Sequence, residues 1–485
     1  VSPVSPAMID VRPVAHVSGL VIVALGVAMV FPMALDWLAG DPNWRAFLKS
    51  GVLCVIAGGA VALATANALA GGLTLQQIFL LTVFAWVAAC FFGALPLVLG
   101  APGLGWLDAI FEATSGLTTT GATMIVGLDA LPQGANLWRA MLHWLGGLGI
   151  VIVAMLFLPV MKVGGMQFFR SEGFDTLGKV LPRALDISSA LVQIYVVLTV
   201  ACAVAYAALG MTGFEAVVHA LSTVSTGGFS SSDQSFAKFS GVLEYVAVVF
   251  MLAGSLPFIR FIQAWQGEWV PLWRDRQVRA YLRWNAYAIG AIVAYEMLTH
   301  DLPLEVVLRE TTFNVVSVFS GTGFTSADLA GWGAFPFVIL FITGLIGGCT
   351  SSTGCSVKVF RYLILIEAVK LQLRRLYAPN AVHTLRYDGR AVDDDVLNAV
   401  ISFFTLFMLS FGLLSVALAL TGLEFKTAVT AAWTAIANVG PAFGPEVAPT
   451  GALGAFPDAA KWVMIFGMLL GRLELMAVFV ILLGM

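Results

Sequence analysis

Windows of about twenty apolar residues with few charges recur along this 485-residue chain, and nothing else in it constrains the fold more. A helix of that length rises about 30 Å, the thickness of a bilayer's hydrocarbon core. The windows fall at 14–35, 51–70, 76–99, 136–160, 188–210, 241–262, 281–299, 333–365, 396–420 and 461–484. Composition points the same way, with 59% hydrophobic and only 11% charged residues, against roughly 25% charged in a soluble domain. A water-soluble chain this long could not hide so much apolar surface, because single cores stop growing near roughly 250–300 residues. The expected fold class is an all-α integral membrane protein with about ten transmembrane helices.

Charge and cysteine usage exclude several other roles. A net charge of −3 argues against a nucleic-acid partner, since such partners call for concentrated basic surface. Cys54, Cys90, Cys202, Cys349 and Cys355 are scattered, with no CxxC and no zinc spacing, and read as small buried hydrophobes. The opening segment 1–7 lacks the basic region and cleavage site of a signal peptide and reads as a remnant ahead of Met8. Most of the 25 Lys and Arg residues fall in alternate loops: Arg12, then the basic residues of 161–187, of 260–283 and of 358–390. The positive-inside rule places those loops and both termini in the cytoplasm.

Between the long windows lie four apolar stretches near 105–118, 213–225, 303–319 and 424–437, too short to span a bilayer and all on the external side. Each runs into a Gly/Thr/Ser-rich tract: SGLTTTGATM (115–124), STVSTGGFSS (222–231), SVFSGTGFTS (317–326) and AIANVGPAFG (435–444). They align on Gly121, Gly228, Gly323 and Gly440, roughly a hundred residues apart. The predicted unit is span, re-entrant pore helix, glycine tract, span. It repeats four times after an N-terminal helix pair (1–70), as repeats 71–187, 188–280, 281–395 and 396–485. Non-helical backbone at membrane depth is tolerated only where it is buried in protein or lines a water-filled cavity. Four such strands around one axis would offer rings of carbonyl oxygens that replace a cation's hydration shell. The short helices would aim their negative ends at the same centre.

The residues TTTGAT (118–123), HWLGGLGIV (143–151), STGGF (225–229), GTGFT (321–325), IGGCTSSTGCSVKVFR (346–361), NVGP (438–441) and GRLE (471–474) resemble the transmembrane subunit of the Trk/Ktr/HKT superfamily of potassium transporters, in particular its TrkH-like members. The likeness covers nearly the whole chain. It implies a pseudo-fourfold pore within one protomer and a homodimer with a pore in each copy. It implies transported potassium at Thr119, Thr120 and Gly121; Thr226, Gly227 and Gly228; Gly321, Thr322 and Gly323; and Asn438, Val439 and Gly440. Sodium-preferring plant relatives carry Ser at the first filter glycine; Gly121 here favours potassium. The fourth tract departs most, with Val439 and Pro441 flanking its glycine. The resemblance also implies the bacterial cytoplasmic membrane and a cytoplasmic nucleotide-binding partner of the TrkA kind. No GxGxxG or P-loop occurs in this chain, so it carries no nucleotide site of its own. Loops 161–187, 263–280 and 366–395 are the expected docking surface, although their basic residues also serve simply to set topology.

One span looks broken. Residues 344–356 hold four glycines (Gly344, Gly347, Gly348, Gly354) and five hydroxyl residues (Thr350, Ser351, Ser352, Thr353, Ser356), with Cys349 among them. Glycine disfavours a helix by about 1 kcal/mol per position. The residues alone are compatible with a kink whose hydroxyls bond back to carbonyls; the family resemblance implies a gate that obstructs the pore. Arg472, inside the last span, is costly in lipid and must face the pore or a buried partner. It either ties that span to 344–356 or forms a cationic barrier near the gate, and the two are compatible. Glu474 lies on another helical face and is a poor partner for it. Asp129, Asp233, Asp328, Glu446 and Asp458 are expected at the external mouth, as solvated loop charges or as a cation-concentrating field. Asp108, Glu112, Glu215, Glu310 and Glu424 are expected in first turns of the pore helices.

The expected function is potassium uptake. A less selective or sodium- or proton-coupled carrier of the same architecture is the alternative. A membrane-embedded enzyme fits poorly, because His16, His143, His219, His300 and His383 form no ligand pattern and no nucleophile–base pair occurs.

Overall fold

The computed structural model describes residues 9–69, 73–101, 103–156, 161, 163–166, 168, 184–380 and 384–484. The segment 1–7 and most of loop 161–187, including Lys162, Arg170, Lys179 and Arg183, lie outside them. Nearly all regular structure is helical; a two-residue hairpin, β1 (Arg386–Tyr387) against β2 (Arg390–Ala391), is the exception among the described residues.

Six helices or helix pairs are long and apolar enough to cross a membrane. The first is α1 (Arg12–Ala28) continued by α2 (Val30–Leu38), then α3 (Trp44–Ala64), α4 (Leu75–Leu99), α6 (Gln133–Leu156), α7 (Ala184–Ala208) and α16 (Asp394–Leu420), with α5 (Trp106–Leu117) between the third and fourth. Two bent pairs bring the number to eight. The chain turns 96° between α9 (Val242–Ser255) and α10 (Phe258–Trp265), and 115° between α18 (Asp458–Arg472) and α19 (Met476–Gly484). The first bend follows from Pro257, which supplies no N–H and pushes Leu256 out of the helical region. At the second, Glu474 takes a left-handed conformation (φ 56°). The remaining two windows are α12 (Arg276–Thr299), whose charges thin its hydropathy, and the interrupted pair α14 (Ala334–Ile346) and α15 (Val359–Tyr377). The windows 241–262 and 461–484, each expected as one span, are therefore bent.

The four short stretches are helices close to the expected bounds: α5, α8 (Gly213–Val224), α13 (Leu304–Ser320) and α17 (Phe425–Ala437). At 12 to 17 residues they rise about 18–26 Å, less than the hydrocarbon core. Each packs between its own flanking spans: α5 on α4 and α6, α8 on α7 and α9, α13 on α12 and α14, α17 on α16 and α18. The first and last units also meet, through α5 and α18, so the set closes on itself. Small residues allow close approach: in α17, Ala428, Ala431, Ala432, Ala435 and Ala437 are all buried.

Candidate functional site

Each pore helix ends the same way. The amide of the residue just before the aligned glycine donates back to a carbonyl five residues upstream: Thr120 to Ser115 O (2.9 Å), Gly227 to Ser222 O (2.8 Å), Thr322 to Ser317 O (2.8 Å) and Val439 to Thr434 O (3.3 Å). That bond requires a left-handed residue between, as in a Schellman cap. The positions are Thr119 (φ 52°), Thr226 (φ 51°), Gly321 (φ 80°) and Asn438 (φ 51°). Only one of the four is glycine, so three carry backbone strain of about 1–3 kcal/mol each. Two residues on, Gly121, Gly228, Gly323 and Gly440 again have φ between 79° and 108°.

Those four glycines define a ring. A Cβ on Gly121 would strike Gly227 O; on Gly228, Thr322 O; on Gly323, Val439 O; and on Gly440 it would lie 2.8 Å from Thr120 O. Every glycine thus abuts the carbonyl of the next unit, and the fourth returns to the first. The expected filter residues come together at one level, each fully buried except for the half-exposed glycines Gly121, Gly228 and Gly323. Side-chain hydroxyls lie beside the strands: Thr118 with Thr120 (2.7 Å) and Ser320 with Thr322 (2.6 Å). Asn438 donates to Thr120 Oγ1 (2.9 Å) and Met468 O (3.0 Å), stitching the departing fourth tract to the first.

Residues 347–358 cross beneath this ring without regular structure. Thr353 Oγ1 meets Thr226 Oγ1 (3.3 Å), and Cys355 Sγ lies 3.5 Å from Thr119 Oγ1. The segment is pinned on the α9–α10 side by Cys349 N to Ser255 O (2.9 Å), Thr353 N to Gly254 O (3.1 Å) and Phe258 N to Ser351 O (2.9 Å). From the other side Arg472 donates to Thr353 O (3.2 Å) and Cys355 Sγ (2.6 Å), and reaches Gly146 O at 3.4 Å. No carboxylate joins it among the described residues; the tie is to carbonyls and a sulfur. Gly344 is the exception to the expected break, for it is still inside α14, where a Cβ would collide with the Trp433 ring. It is a packing glycine, and the interruption starts at Gly347.

Below the segment lies a buried cluster that sequence reasoning missed. Arg361 donates to Glu474 (2.5 Å), Gly164 O (2.9 Å) and Val357 O (2.9 Å), its guanidinium 3.6 Å from the Phe403 ring centroid. Lys358 Nζ is 4.0 Å from the same carboxylate. The signal was present: four ionisable residues at 358, 361, 472 and 474 flank two helix breaks. Their pairing across repeats is tertiary.

On the side of the ring away from residues 347–358, the carboxylates expected at the mouth are mostly loop fasteners. Asp233 accepts from the N–H groups of Gly127 (2.8 Å) and Leu128 (3.0 Å), while Asp129 accepts from Ser232, from Asp233 N and from Lys238. Burial pushes the Asp129 carboxyl up, but those donors outweigh it and hold it below its ordinary value. Glu446 caps the start of α17 through Glu424 N and the Thr427 hydroxyl, Asp328 accepts from Ala330 N, and Asp458 lies 3.8 Å from Lys461. Asp233 and Asp328 also line a cavity of about 620 Å³ beside the third and fourth tracts, with Lys426 on its wall. Of the pore-helix acids, Asp108 and Glu215 do sit in first turns, and Glu424 at an N-cap. Glu310 sits in the second turn, and Glu112 lies mid-helix and wholly buried against Arg139. The dipole account fails for those two. Among the described residues no group of three or more His, Cys, Asp and Glu could hold a metal ion.

A polytopic helical membrane protein whose four re-entrant strands close into one ring of carbonyls belongs to the cation-transport class. Comparison makes this specific: the chain is a member of the TrkH family, described as cation transport protein, whose match spans residues 44–483. It is similar to the Trk system potassium uptake proteins TrkI of Halomonas elongata (38% identical, covering 97% of this chain and 96% of that one) and TrkH of Escherichia coli (34%, covering 97% and 98%). It also matches the crystal structure of the potassium transporter TrkH from Vibrio parahaemolyticus, with a TM-score of 0.90 at 32% identity over 98% of this chain and 99% of the other. Membership makes this a membrane transport protein and not an enzyme.

Proposed function

We propose that this chain takes up potassium across the bacterial cytoplasmic membrane. In this reading the ion passes the ring at Thr119–Gly121, Thr226–Gly228, Gly321–Gly323 and Asn438–Gly440, and residues 347–354 with Arg472 close the path below it. The observation that carries the reading is the closed glycine–carbonyl ring, because four strands at one level can replace a hydration shell only if they encircle one axis. The relatives' shared naming as potassium uptake proteins supports the choice of ion. Regulation falls to a TrkA-like nucleotide-binding subunit docking on the loops around 263–280 and 366–395, in a homodimer with both termini cytoplasmic. The fully buried contact of Arg472 with Thr353 O supports the gate assignment, since an arginine is held at membrane depth only by such partners.

The test is Gly121→Ser in full-length protein reconstituted into liposomes, with rubidium uptake competed by sodium or potassium. Serine at φ 87° with its Cβ against Gly227 O must shift the ring. The expected result is stronger sodium competition, and unchanged competition for both ions would remove the ring from the selectivity mechanism.

A further inference from the structure

Beyond the four strands, each pore helix reaches over to the backbone leaving its filter. Nine residues before the aligned glycines stand Glu112, His219, Asn314 and Ala431, and beside the last is Thr430. Glu112 Oε2 accepts from Met124 N (2.8 Å), and both its oxygens accept from Thr123 Oγ1. Asn314 Oδ1 accepts from Ser326 N (3.2 Å) and its amide donates to Ser326 Oγ (3.0 Å). Thr430 Oγ1 accepts from Phe443 N (2.9 Å). Met124, Ser326 and Phe443 are each three residues past their glycine, so three units use the same backbone N–H.

The second unit is indirect. His219 Nδ1 faces Glu215 O (2.8 Å), a carbonyl that can only accept, so Nδ1 carries a proton, while Nε2 lies 2.9 Å from Ser230 Oγ, whose hydroxyl also faces Ser235 O (3.2 Å). Ser230 Oγ in turn accepts from Ser232 N (3.0 Å). A carboxylate, an amide and a hydroxyl thus brace the same position of three strands, and an imidazole reaches the second strand one residue further on through Ser230. The first is the most rigid: Glu112 is paired with Arg139 (2.8 Å), both at most 1% exposed, and Arg139 also donates to Ser230 O (3.0 Å) of the second unit. Its guanidinium lies 4.1 Å from the Phe229 ring centroid, between the two exit strands.

We propose that Glu112 with Arg139, His219, Asn314 and Thr430 are positioning residues that set the outer width of the filter and so its preference for potassium over smaller cations. None touches the ion; each fixes where an exit strand stands. Carbonyls held apart by such braces cannot collapse onto sodium, and removing a brace frees its strand to do so. The inference rests on the filter reading proposed above.

The experiment measures rubidium uptake by full-length protein in liposomes and the sodium concentration that half-inhibits it. Thr430→Val removes the acceptor for Phe443 N at nearly constant volume, and Thr430→Ser restores it. The expected result is an about tenfold fall in the half-inhibiting sodium concentration for Thr430→Val, about 1.4 kcal/mol, with Thr430→Ser matching the parent. Misfolding lowers the amplitude of uptake but not this competition, which only conducting molecules report. Asn314→Leu gives the same reading at another unit, so loss of one variant leaves the comparison standing. Parental sodium competition in every brace variant that transports, with Gly121→Ser shifted, would overturn the inference alone. If Gly121→Ser is also unshifted, the filter reading falls and this inference with it.

Discussion

The ring and the segment beneath it touch, yet they are built on opposite plans. Four helix ends repeat one cap, one left-handed pair and one amide hook to make the ring, and each unit's glycine is shaped by its neighbour's carbonyl. The segment 347–358 occurs once, in the third unit, and is held by unlike partners: a proline bend from the second unit and Arg472 from the fourth. In the proposed reading, symmetry suits the ring because it presents like ligands on all sides of an ion, and asymmetry suits a closing segment because a single arm can swing without every repeat changing together. The contact of Thr353 and Cys355 with Thr226 and Thr119 is where the two plans meet.

Substitutions should separate the two regions. The largest effect is expected from Gly323→Val, which puts a side chain at φ 79° straight into Val439 O. Strain and clash of about 3 kcal/mol or more correspond to an about hundredfold loss of potassium uptake. The check is uptake per folded molecule; parental uptake would mean that the ring tolerates a gap. A smaller and different effect is expected from Arg472→Ala. It removes the donors to Thr353 O and Cys355 Sγ but touches no filter strand. Flux should change by several-fold, about 1 kcal/mol, with sodium competition as in the parent. Altered competition with unaltered flux would assign Arg472 to the ring instead.

Much of this was legible in the sequence, for identifiable reasons. The four short helices are apolar runs closed by glycine tracts, and apolarity, length and the fourfold repeat found them to within a few residues. The aligned glycines of the four tracts were visible because positive φ with a close backbone neighbour admits little else. Thr119, Thr226 and Asn438 were not recognisable as left-handed, since that conformation comes from the helix cap and its surroundings. Glu112 lies mid-helix even within the expected stretch 105–118, so the first-turn reading was wrong on its own bounds; what the sequence hid was its pairing with Arg139 of a different helix. The bend at Glu474 was hidden for the same reason: Arg361 lies far away in sequence and holds the carboxylate.

The central claim is that one chain holds a potassium-selective path, with ring and closing segment both its own. The most direct measurement is the reversal potential of the purified full-length protein in liposomes under opposed potassium, sodium and proton gradients. The account predicts a reversal that follows the potassium gradient and stays put when the proton gradient is changed. A reversal that tracks protons, or that follows sodium as closely as potassium, would contradict it.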